Sequence, residues 1–405
     1  MSPKITLLTT GQPSTNPRLV KEANALFEAG YQVTVVYCYW AKWAQDYDPE
    51  IIQVREWRAV LVGGTPERGR LIWWYTRLRH KVSKYLSFIS HFRYQSEARA
   101  YHEMLSEAKK TQAQLYIAHN LGALPVAARA AQQSRAIFAF DAEDYHRGES
   151  ITLDAPTKNK IKIEDYFFES AAFVTTASPL ISKVYQQHYP TQSFTTINNV
   201  FSKKYQKPLP QLPNTSLFVW WFSQTIGLNR GIQDILKAMQ LIPDIPIQFT
   251  LVGEANSTTI DKLKEMLISE RHKLCFQAPV SEIALFEIAN QQHIGFALER
   301  STPKNRDICL TNKIFTYLLA GNAIIASDTQ AQKSFMADNP GVGWVYPQRD
   351  SNQLADILKT CYLNPDLLGS TKRNAWELAD QKLNWEEEQK KWLPLVEKVL
   401  NSNAV

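Results

Sequence analysis

The stretch that decides the fold is DICLTNKIFTYLLAGNAIIASD, residues 307–328. Four apolar residues share one face of a helical pattern: Ile314, Phe315, Leu318 and Leu319. Such a face buries against a sheet. Gly321 stands where a left-handed residue favours the end of a helix. The run AIIAS at 323–327 is apolar and partly β-branched, which is typical of a parallel strand covered on both faces. The stretch predicts a helix followed by a buried strand.

The start of this predicted helix carries an unfavourable charge. Thr311 or Asn312 can cap the helix, because either side-chain oxygen accepts from the N–H groups of the first turn. Lys313 places a cation in that turn, where the helix dipole is already positive, at a cost of roughly a few tenths of a kcal/mol. A bound phosphate would be stabilised by the lysine and the helix terminus together. The alternative is that Lys313 points into water.

Length and composition indicate a soluble protein of two domains. The chain has 405 residues, of which 44% are hydrophobic and 21% charged, and it is too long for a single core. Its net charge of +6 permits an anionic partner without requiring one. The four cysteines are scattered and show no metal-ligand spacing, which favours a reducing compartment over a zinc site.

The sequence lacks the usual signs of export or membrane insertion. Its start, MSPKITLLTT, predicts a β-strand and has neither the charged nor the long apolar segment of a signal peptide. No apolar run approaches the ~20 residues that span a bilayer. We therefore expect a cytoplasmic protein, with surface attachment to the inner face of a membrane as the further option.

Strand-like and helix-like segments alternate along the whole chain. The first half predicts strands at 5–10, 31–39, 114–120, 136–144, 171–178 and 193–199. The second half predicts strands at 217–223, 247–253, 273–279, 293–299, 323–328 and 342–347. Helical patterns lie between them, for example at 18–29, 125–133, 231–242 and 281–290. This alternation predicts an α/β protein of two Rossmann-like domains with parallel, doubly wound sheets.

A proline-rich polar stretch, KPLPQLPNTS at 207–216, predicts a linker between the domains. We therefore expect an N-terminal domain over 1–206 and a C-terminal domain over 207–380. The remaining residues, 381–405, contain an amphipathic helix whose apolar side can pack on a domain surface.

Ligands of open parallel sheets bind outside the carboxyl ends of the strands. In the first half these ends carry Gly11, His119 with Asn120, and the segment 141–149. In the second half they carry the segments 223–230, 253–254, 299–312 and 327–328.

Two Rossmann-like halves in this order resemble the GT-B fold, and more closely the retaining, family-4-type glycosyltransferases of group 1, which use nucleotide-sugar donors. The resemblance rests on ordered segments: the first strand with the Gly11 loop and the Arg18 helix, 117–120, 223–236, 251–254, 312–328 and the terminal helix. It implies an acceptor domain, then a donor domain facing it across a cleft, and a last helix that crosses back to the first domain.

The resemblance implies a metal-independent site that stabilises a leaving nucleoside diphosphate. Arg230 and Lys313 would hold the diphosphate, together with the amides at the start of the helix. The donor-binding residues implied are Gly11, Ser223, Gln224, Arg230, Gly253, Glu254, Glu299, Asn312, Lys313 and Thr316. For Glu299 the alternative is an ion pair with Arg300, and for Gly253 and Glu254 a plain turn. No cofactor is implied beyond the nucleotide-sugar co-substrate.

The sequence departs from the family at several positions. Members commonly carry two glutamates eight positions apart, where this chain has Ile308 and Thr316. The carboxylate that usually binds the ribose is therefore missing. Glu299, Asp307 or Thr316 could take its place, and the sequence does not decide among them. Ser223 and Gln224 stand where glycine and arginine are usual.

The catalytic candidates lie in the first half. His119 follows a strand and would contact the donor sugar or its phosphate, the alternative being a buried or solvated histidine. In the polar cluster FDAEDYHRGE at 140–149, Asp144 and His146 could orient the acceptor hydroxyl or act as acid and base. The alternative for this cluster is a solvated loop.

The segment 68–96 is basic and aromatic and contains no acidic residue. Such a segment can lie on an anionic membrane surface. The alternative is that its aromatic residues are core and its cations a solvated face. No recognition motif for nucleic acid accompanies it.

The leading hypothesis is a retaining glycosyltransferase that transfers sugar to a glycan or a lipid-linked acceptor, in cell-surface polysaccharide or glycolipid synthesis. The alternative is a non-catalytic GT-B subunit that binds a nucleotide sugar or acts as a scaffold, which the absent glutamate pair favours. A nucleotide-sugar epimerase is a third hypothesis. A NAD-dependent dehydrogenase is disfavoured because no strand is followed by GxGxxG.

Overall fold

A computed structural model describes residues 2–402 of the chain. It divides into two compact units. The first unit contains the residues up to Ile197 and those from Gln389 onward, and the second is Asn198–Glu388. Residue 1 and residues 403–405, which the sequence-based domain bounds include, lie outside the described part.

The first unit is built on a parallel sheet of seven strands in the order β3-β2-β1-β4-β5-β6-β7. Its strands are β1 (Lys4–Thr9), β2 (Gln32–Cys38), β3 (Arg58–Val62), β4 (Leu115–His119), β5 (Ile137–Ala142), β6 (Val174–Thr176) and β7 (Phe194–Thr196). Its helices are α1 (Pro17–Glu28), α2 (Lys42–Gln53), α3 (Arg70–Tyr85), α4 (Ser90–Arg93), α5 (Tyr101–Thr111), α6 (Leu124–Ser134), α7 (Ala155–Phe167) and α8 (Pro179–His188). The strand order reverses between β1 and β4, so a crevice is expected at their carboxyl ends.

The second unit repeats this plan with six parallel strands in the order β10-β9-β8-β11-β12-β13. Its strands are β8 (Leu217–Thr225), β9 (Ile247–Glu254), β10 (His272–Gln277), β11 (Ile294–Ala297), β12 (Ala323–Ser327) and β13 (Gly343–Tyr346). Its helices are α9 (Ile232–Leu241), α10 (Ser257–Lys264), α11 (Glu282–Asn290), α12 (Lys304–Ile308), α13 (Asn312–Leu319), α14 (Gln330–Asp338), α15 (Ser351–Leu363) and α16 (Pro365–Gln381). Here the order reverses between β8 and β11.

The last helix, α17 (Trp385–Ser402), begins in the second unit and continues in the first. Trp392 and Val396, on its first-unit part, are fully buried. Among residues 2–402, no helix combines the length and the apolar character that crossing a membrane requires.

The predicted α/β architecture of two Rossmann-like sheets is confirmed. Every predicted strand is present, and the structure adds β3, which the sequence analysis missed. This strand, RAVLV, lies at the edge of its sheet, and its residues are exposed or half-buried, none of them fully buried. It therefore lacks the continuous apolar run that marks the central strands.

The stretch at 307–328 folds largely as predicted. Helix α13 ends at a left-handed Gly321 with φ of 69°. The N–H of Asn322 donates to the carbonyl of Tyr317 at 2.8 Å, which closes the helix end in the manner of a Schellman motif. Thr311 is the N-cap residue, but its side chain makes no capping hydrogen bond. All four predicted core residues of α13 are buried, together with Thr316 and Tyr317.

Helix α13 approaches the sheet closely at one glycine. A Cβ atom at Gly295, in β11, would overlap the ring of Tyr317. This ring cannot easily move aside, because the Tyr317 hydroxyl donates to the carbonyl of Phe296 at 2.8 Å. The absence of a side chain at position 295 therefore sets the distance between α13 and β11.

We expect Gly295→Ala to destabilise the protein by about 1–3 kcal/mol, because the added methyl group overpacks this contact. The control is Gly369→Ala in α16, where a Cβ atom would meet nothing within 4 Å. That substitution should raise the free energy of unfolding by about 0.5–1 kcal/mol, because alanine is favoured over glycine inside a helix. Urea unfolding of both variants measures the two effects, and equal midpoints would contradict the close approach.

Candidate functional site

Cationic side chains of the second unit gather at the strand-order reversal between β8 and β11. Lys313, in the first turn of α13, donates from Nζ to the Glu299 carboxylate at 2.8 Å. Arg230 follows β8, and the charges of Arg306 and Glu299 both act on its guanidinium. Partial burial and the repulsion by Arg306 lower the pKa of Arg230. The elements that end or begin here thus bring three cations around one carboxylate.

Two of these cations form no ion pair within the described residues. Among residues 2–402, no ion pair joins Arg230 or Arg306 to a carboxylate. Arg230 makes a weak hydrogen bond from Nη2 to the Thr225 hydroxyl at 3.3 Å. Two guanidinium groups that repel each other and have no carboxylate partner form a favourable place for an anion.

Arg306 was missed in the sequence analysis. It lies in α12, within the segment 299–312 that follows β11. Its position after a strand at the order reversal was the available signal, but no family motif marks it.

Glu299 is engaged inside the unit. Besides Lys313, its carboxylate accepts from Gln332 Nε2 at 2.6 Å and from the Thr311 hydroxyl at 3.3 Å. Burial would raise the pKa of Glu299, but the charge and the hydrogen bond of Lys313 lower it. The alternative of an ion pair between Glu299 and Arg300 is wrong.

Arg300 pairs instead with Asp234 in the first turn of α9, at 2.9 Å. Lys313 does not point into water either, since only 13% of its side chain is exposed.

The three candidate replacements for a ribose-binding carboxylate all form hydrogen bonds or ion pairs within the unit. Thr316 is fully buried, and its hydroxyl donates to the carbonyl of Asn312 at 3.0 Å. Asp307 pairs with Lys304 at 3.2 Å and accepts from the N–H of Gln330 at 3.0 Å. With Glu299 held by Lys313, none of the three presents a free carboxylate or hydroxyl.

The predicted residues Ser223, Gln224, Gly253 and Glu254 belong to the ends of β8 and β9, which lie side by side. Gly253 has a φ of 152°, and a Cβ atom there would overlap the carbonyl of Ser223. Glu254 pairs with Thr225 in the sheet across an irregularity that follows Phe222. The glycine thus lets the end of β8 approach β9 closely, while the side chains of Gln224 and Glu254 remain exposed.

The loop that carries Arg230 leads into α9 through a second glycine. Gly231 has a φ of 84°, and a Cβ atom there would lie 2.9 Å from the Leu298 carbonyl oxygen. The start of α9 therefore lies against the end of β11, which places Arg230 next to the residues around Glu299.

In the first unit, His119 belongs to a buried charge network rather than to an open site. Its Nε2 lies 3.2 Å from Glu22, and its Nδ1 lies 3.3 Å from Asp141 and 3.2 Å from Glu143. Arg18 pairs with both oxygens of Asp141, with Nη2 to Oδ1 at 2.8 Å. His119, Glu22 and Asp141 have no exposed side-chain surface.

The ionisation of this network follows from its contacts. Burial alone would lower the pKa of His119, but Glu22 and its other carboxylate neighbours raise it well above the usual 6.5. Burial raises the pKa of Glu22. Asp141 is also buried, yet Arg18 and His119 lower its pKa. A protonated His119 and Arg18 thus face an ionised Asp141.

Glu22, His119 and Asp141 offer ligand atoms within 4.8 Å of one another, a spacing that could suit a metal ion. Arg18 already supplies the cation at this place, because it lies 3.5 Å from Glu22 and is paired with Asp141. The direct contact of His119 with a donor stays a prediction.

The remaining first-unit candidates lie in separate surroundings. His146 is buried, and its Nδ1 lies 2.7 Å from Glu149. Asp144 is half-buried, and its carbonyl accepts from the Tyr185 hydroxyl at 3.4 Å. The N–H of Gly11, in the loop after β1, donates to the Thr9 hydroxyl at 3.2 Å.

We expect Lys313→Met to destabilise the protein by about 3–5 kcal/mol, because it leaves the Glu299 carboxylate buried and unpaired. The double variant Lys313→Met/Glu299→Gln should lie closer to the wild type. Since the pKa of Glu299 is lowered below its unfolded value of 4.5, its contribution is present above pH 4.5 and is lost as the pH falls.

The matched control for this cycle is Lys304→Met, whose ion pair with Asp307 involves a lysine that is 45% exposed. It should change the free energy of unfolding by less than about 1 kcal/mol. Urea unfolding measures the free energy of unfolding of the wild type, the two single variants and the double variant. If the changes caused by Lys313→Met and Glu299→Gln simply add in the double variant, Glu299 is not paired with Lys313.

Comparisons with solved structures identify the fold. Sucrose-phosphate synthase from Thermosynechococcus elongatus is 15% identical with a TM-score of 0.75, and the match covers 99% of this chain and 100% of that one. Anabaena HepE in complex with UDP-glucose is 14% identical with a TM-score of 0.70, over 98% of this chain and 99% of that one. WaaG, a glycosyltransferase involved in lipopolysaccharide biosynthesis, is 11% identical with a TM-score of 0.65, over 96% of this chain and 98% of that one. No protein-family model and no curated protein matches the chain. The chain therefore has the GT-B fold of these glycosyltransferases.

Proposed function

We propose that this chain is a retaining glycosyltransferase that moves a sugar from a nucleotide-sugar donor to a glycan or a lipid-linked acceptor. One observation carries the proposal: Arg230 and Arg306 interact electrostatically at the β8–β11 reversal, and neither is paired with a carboxylate among residues 2–402. The fold supports it, since HepE binds UDP-glucose in a structure of the same architecture. The involvement of WaaG in lipopolysaccharide biosynthesis favours a role in cell-surface polysaccharide or glycolipid synthesis.

The donor diphosphate is the anion that these groups would hold. Arg230 and Arg306 would bind its oxygens, and the first amides of α13 would add their dipole, because the Thr311 side chain does not cap them. As the bond from the anomeric carbon to the phosphate oxygen breaks, negative charge grows on the phosphate. Cations that are already held in place before the reaction stabilise this charge and so lower the free energy of the transition state. Lys313 contributes less, since Glu299 neutralises it.

The reaction requires no protein nucleophile in this proposal. The acceptor oxygen bonds to the anomeric carbon on the face that the phosphate leaves, and the acceptor proton passes to the leaving phosphate. Asp144 and His146 are the residues we propose to orient the acceptor hydroxyl. In this proposal arginine side chains stabilise the charge of the leaving phosphate, so the step needs no divalent metal.

Arg230→Ala and Arg306→Ala should each weaken the binding of a nucleoside diphosphate by about tenfold to a hundredfold, the value of a hydrogen bond to a charged group. A panel of UDP, GDP and ADP, read by melting temperature, measures the loss of the ligand-induced shift. Neither substitution should lower the melting temperature without ligand, because each removes a repulsion between the two arginines.

The control is Arg373→Ala, an exposed arginine on α16 of the same unit, which should retain the full shift. If no nucleoside diphosphate or nucleotide sugar shifts the melting temperature of the wild type, the proposal fails.

Transfer should persist after EDTA has removed divalent cations, because arginine side chains carry the leaving charge. Product formation with and without EDTA measures this. A loss that Mg²⁺ restores would contradict the metal-independent step.

A non-catalytic GT-B subunit is the second candidate function. It is favoured because the side chains of Glu299, Asp307 and Thr316 are all bonded to other groups of the chain. The ribose of a donor would then lack the carboxylate that usually binds it. Release of sugar from a bound donor distinguishes the two. Nucleotide binding with neither hydrolysis nor transfer would favour the subunit.

A further inference from the structure

Helix α3 turns an apolar stripe away from the core of the first unit. The stripe consists of exposed side chains at helical spacing: Leu71, Trp74, Tyr75, Leu78, Val82 and Tyr85. Leu71 is 89% exposed and Tyr85 is 74% exposed. Phe88, just after the helix, continues the stripe and is 73% exposed. The alternative that these aromatic residues form the core is wrong.

Helix α3 fully buries polar rather than apolar side chains, which is the reverse of an ordinary surface helix. The residues it buries are Thr76 and Ser83. Arg99 donates to the Thr76 hydroxyl at 2.6 Å, and His80 Nδ1 lies 2.9 Å from the carbonyl of Gln95. The unit thus holds the helix by hydrogen bonds and, within residues 2–402, leaves most of the surface of its apolar face exposed.

Cations run along one flank of this stripe. Arg70, Arg77, Lys81 and Lys84 recur at the same helical spacing and are exposed. Within the described residues, none of these four forms an ion pair. Arg79, on the opposite flank, pairs with Glu103 at 2.5 Å.

This combination selects one kind of partner. A second copy of the chain would bring the same cations together and repel. A nucleic acid would use the aromatic rings, but it has no place for Leu71, Leu78 and Val82, which cannot stack on bases. An anionic bilayer satisfies both features, since acyl chains take up the stripe and headgroups meet the flanking cations.

We propose that α3 and the turn to Phe88 form a docking surface for an anionic lipid bilayer. The helix lies in the plane of the interface, with its stripe about 5–10 Å deep in the boundary of headgroups and acyl chains. Its 16 residues span about 24 Å along the surface. This surface does not depend on the proposed transferase activity.

Co-sedimentation of the full chain with vesicles tests the proposal. The wild type should bind vesicles of phosphatidylcholine mixed with phosphatidylglycerol, and should bind phosphatidylcholine alone weakly. Added salt should weaken binding, because it screens the lysines and arginines. Each lysine near an anionic surface strengthens binding by about fivefold, so Lys81→Glu/Lys84→Glu should reduce it by more than about twentyfold.

Trp74→Ser/Leu78→Ser should reduce binding by about tenfold or more, since it removes buried apolar area. The matched controls lie in the second unit: Ile268→Ser, at a residue 76% exposed, and Lys359→Glu, at an exposed lysine. Both should bind as the wild type does. All substituted residues are exposed, and an unchanged melting temperature confirms that the variants fold.

Three results would overturn the proposal. The first is a wild type that does not sediment with anionic vesicles at low salt. The second is retention of vesicle binding by both α3 variants. The third is a dimer in sedimentation velocity that Trp74→Ser/Leu78→Ser abolishes, which would assign the stripe to a second copy. Nucleotide binding is measured separately, so none of these results bears on the transferase proposal.

Discussion

The first unit depends on a guanidinium group that it buries completely. Arg18, on α1, is 1% exposed and joins Asp141 at the end of β5 to the carbonyl of Ile197 beyond β7. A buried charge is tolerated only when it is paired, and removal of one partner costs about 3–5 kcal/mol. The carboxyl ends of the central strands are therefore fixed by electrostatics as well as by the sheet. His119 takes part in the same network, which explains why it lies beneath the surface.

The second unit distributes its charges differently. Two carboxylates near its strand-order reversal, Glu299 after β11 and Asp234 in the first turn of α9, are each paired with a cation. Arg230 and Arg306 remain in excess, although a neighbouring negative charge would lower their energy. An excess of one sign in a partly buried place is costly for the folded chain alone. It is the arrangement expected when the missing charge arrives with a ligand, and it supports the proposed donor site.

The sequence predicted best what depends on neighbouring residues. The end of α13 at Gly321 and the apolar strand after it were recovered because their signals are local. The edge strand β3 was missed because it is only half-buried. The partner of Lys313 was not foreseen, since Glu299 is brought to it by the packing of α13 on β11. Arg306 was overlooked for the same reason: its proximity to Arg230 exists only in the folded unit.

The polar attachment of α3 affects its energetics. Few apolar groups on its inner side leave water on folding, so the free energy that opens this helix locally is smaller than that of the sheet. Amide hydrogens of α3 should then exchange early, while those of β1 and β4 are retained. Anything that covers the outer face raises this opening energy by mass action. The rate of amide exchange in α3 is thus a direct readout of whether its face is occupied.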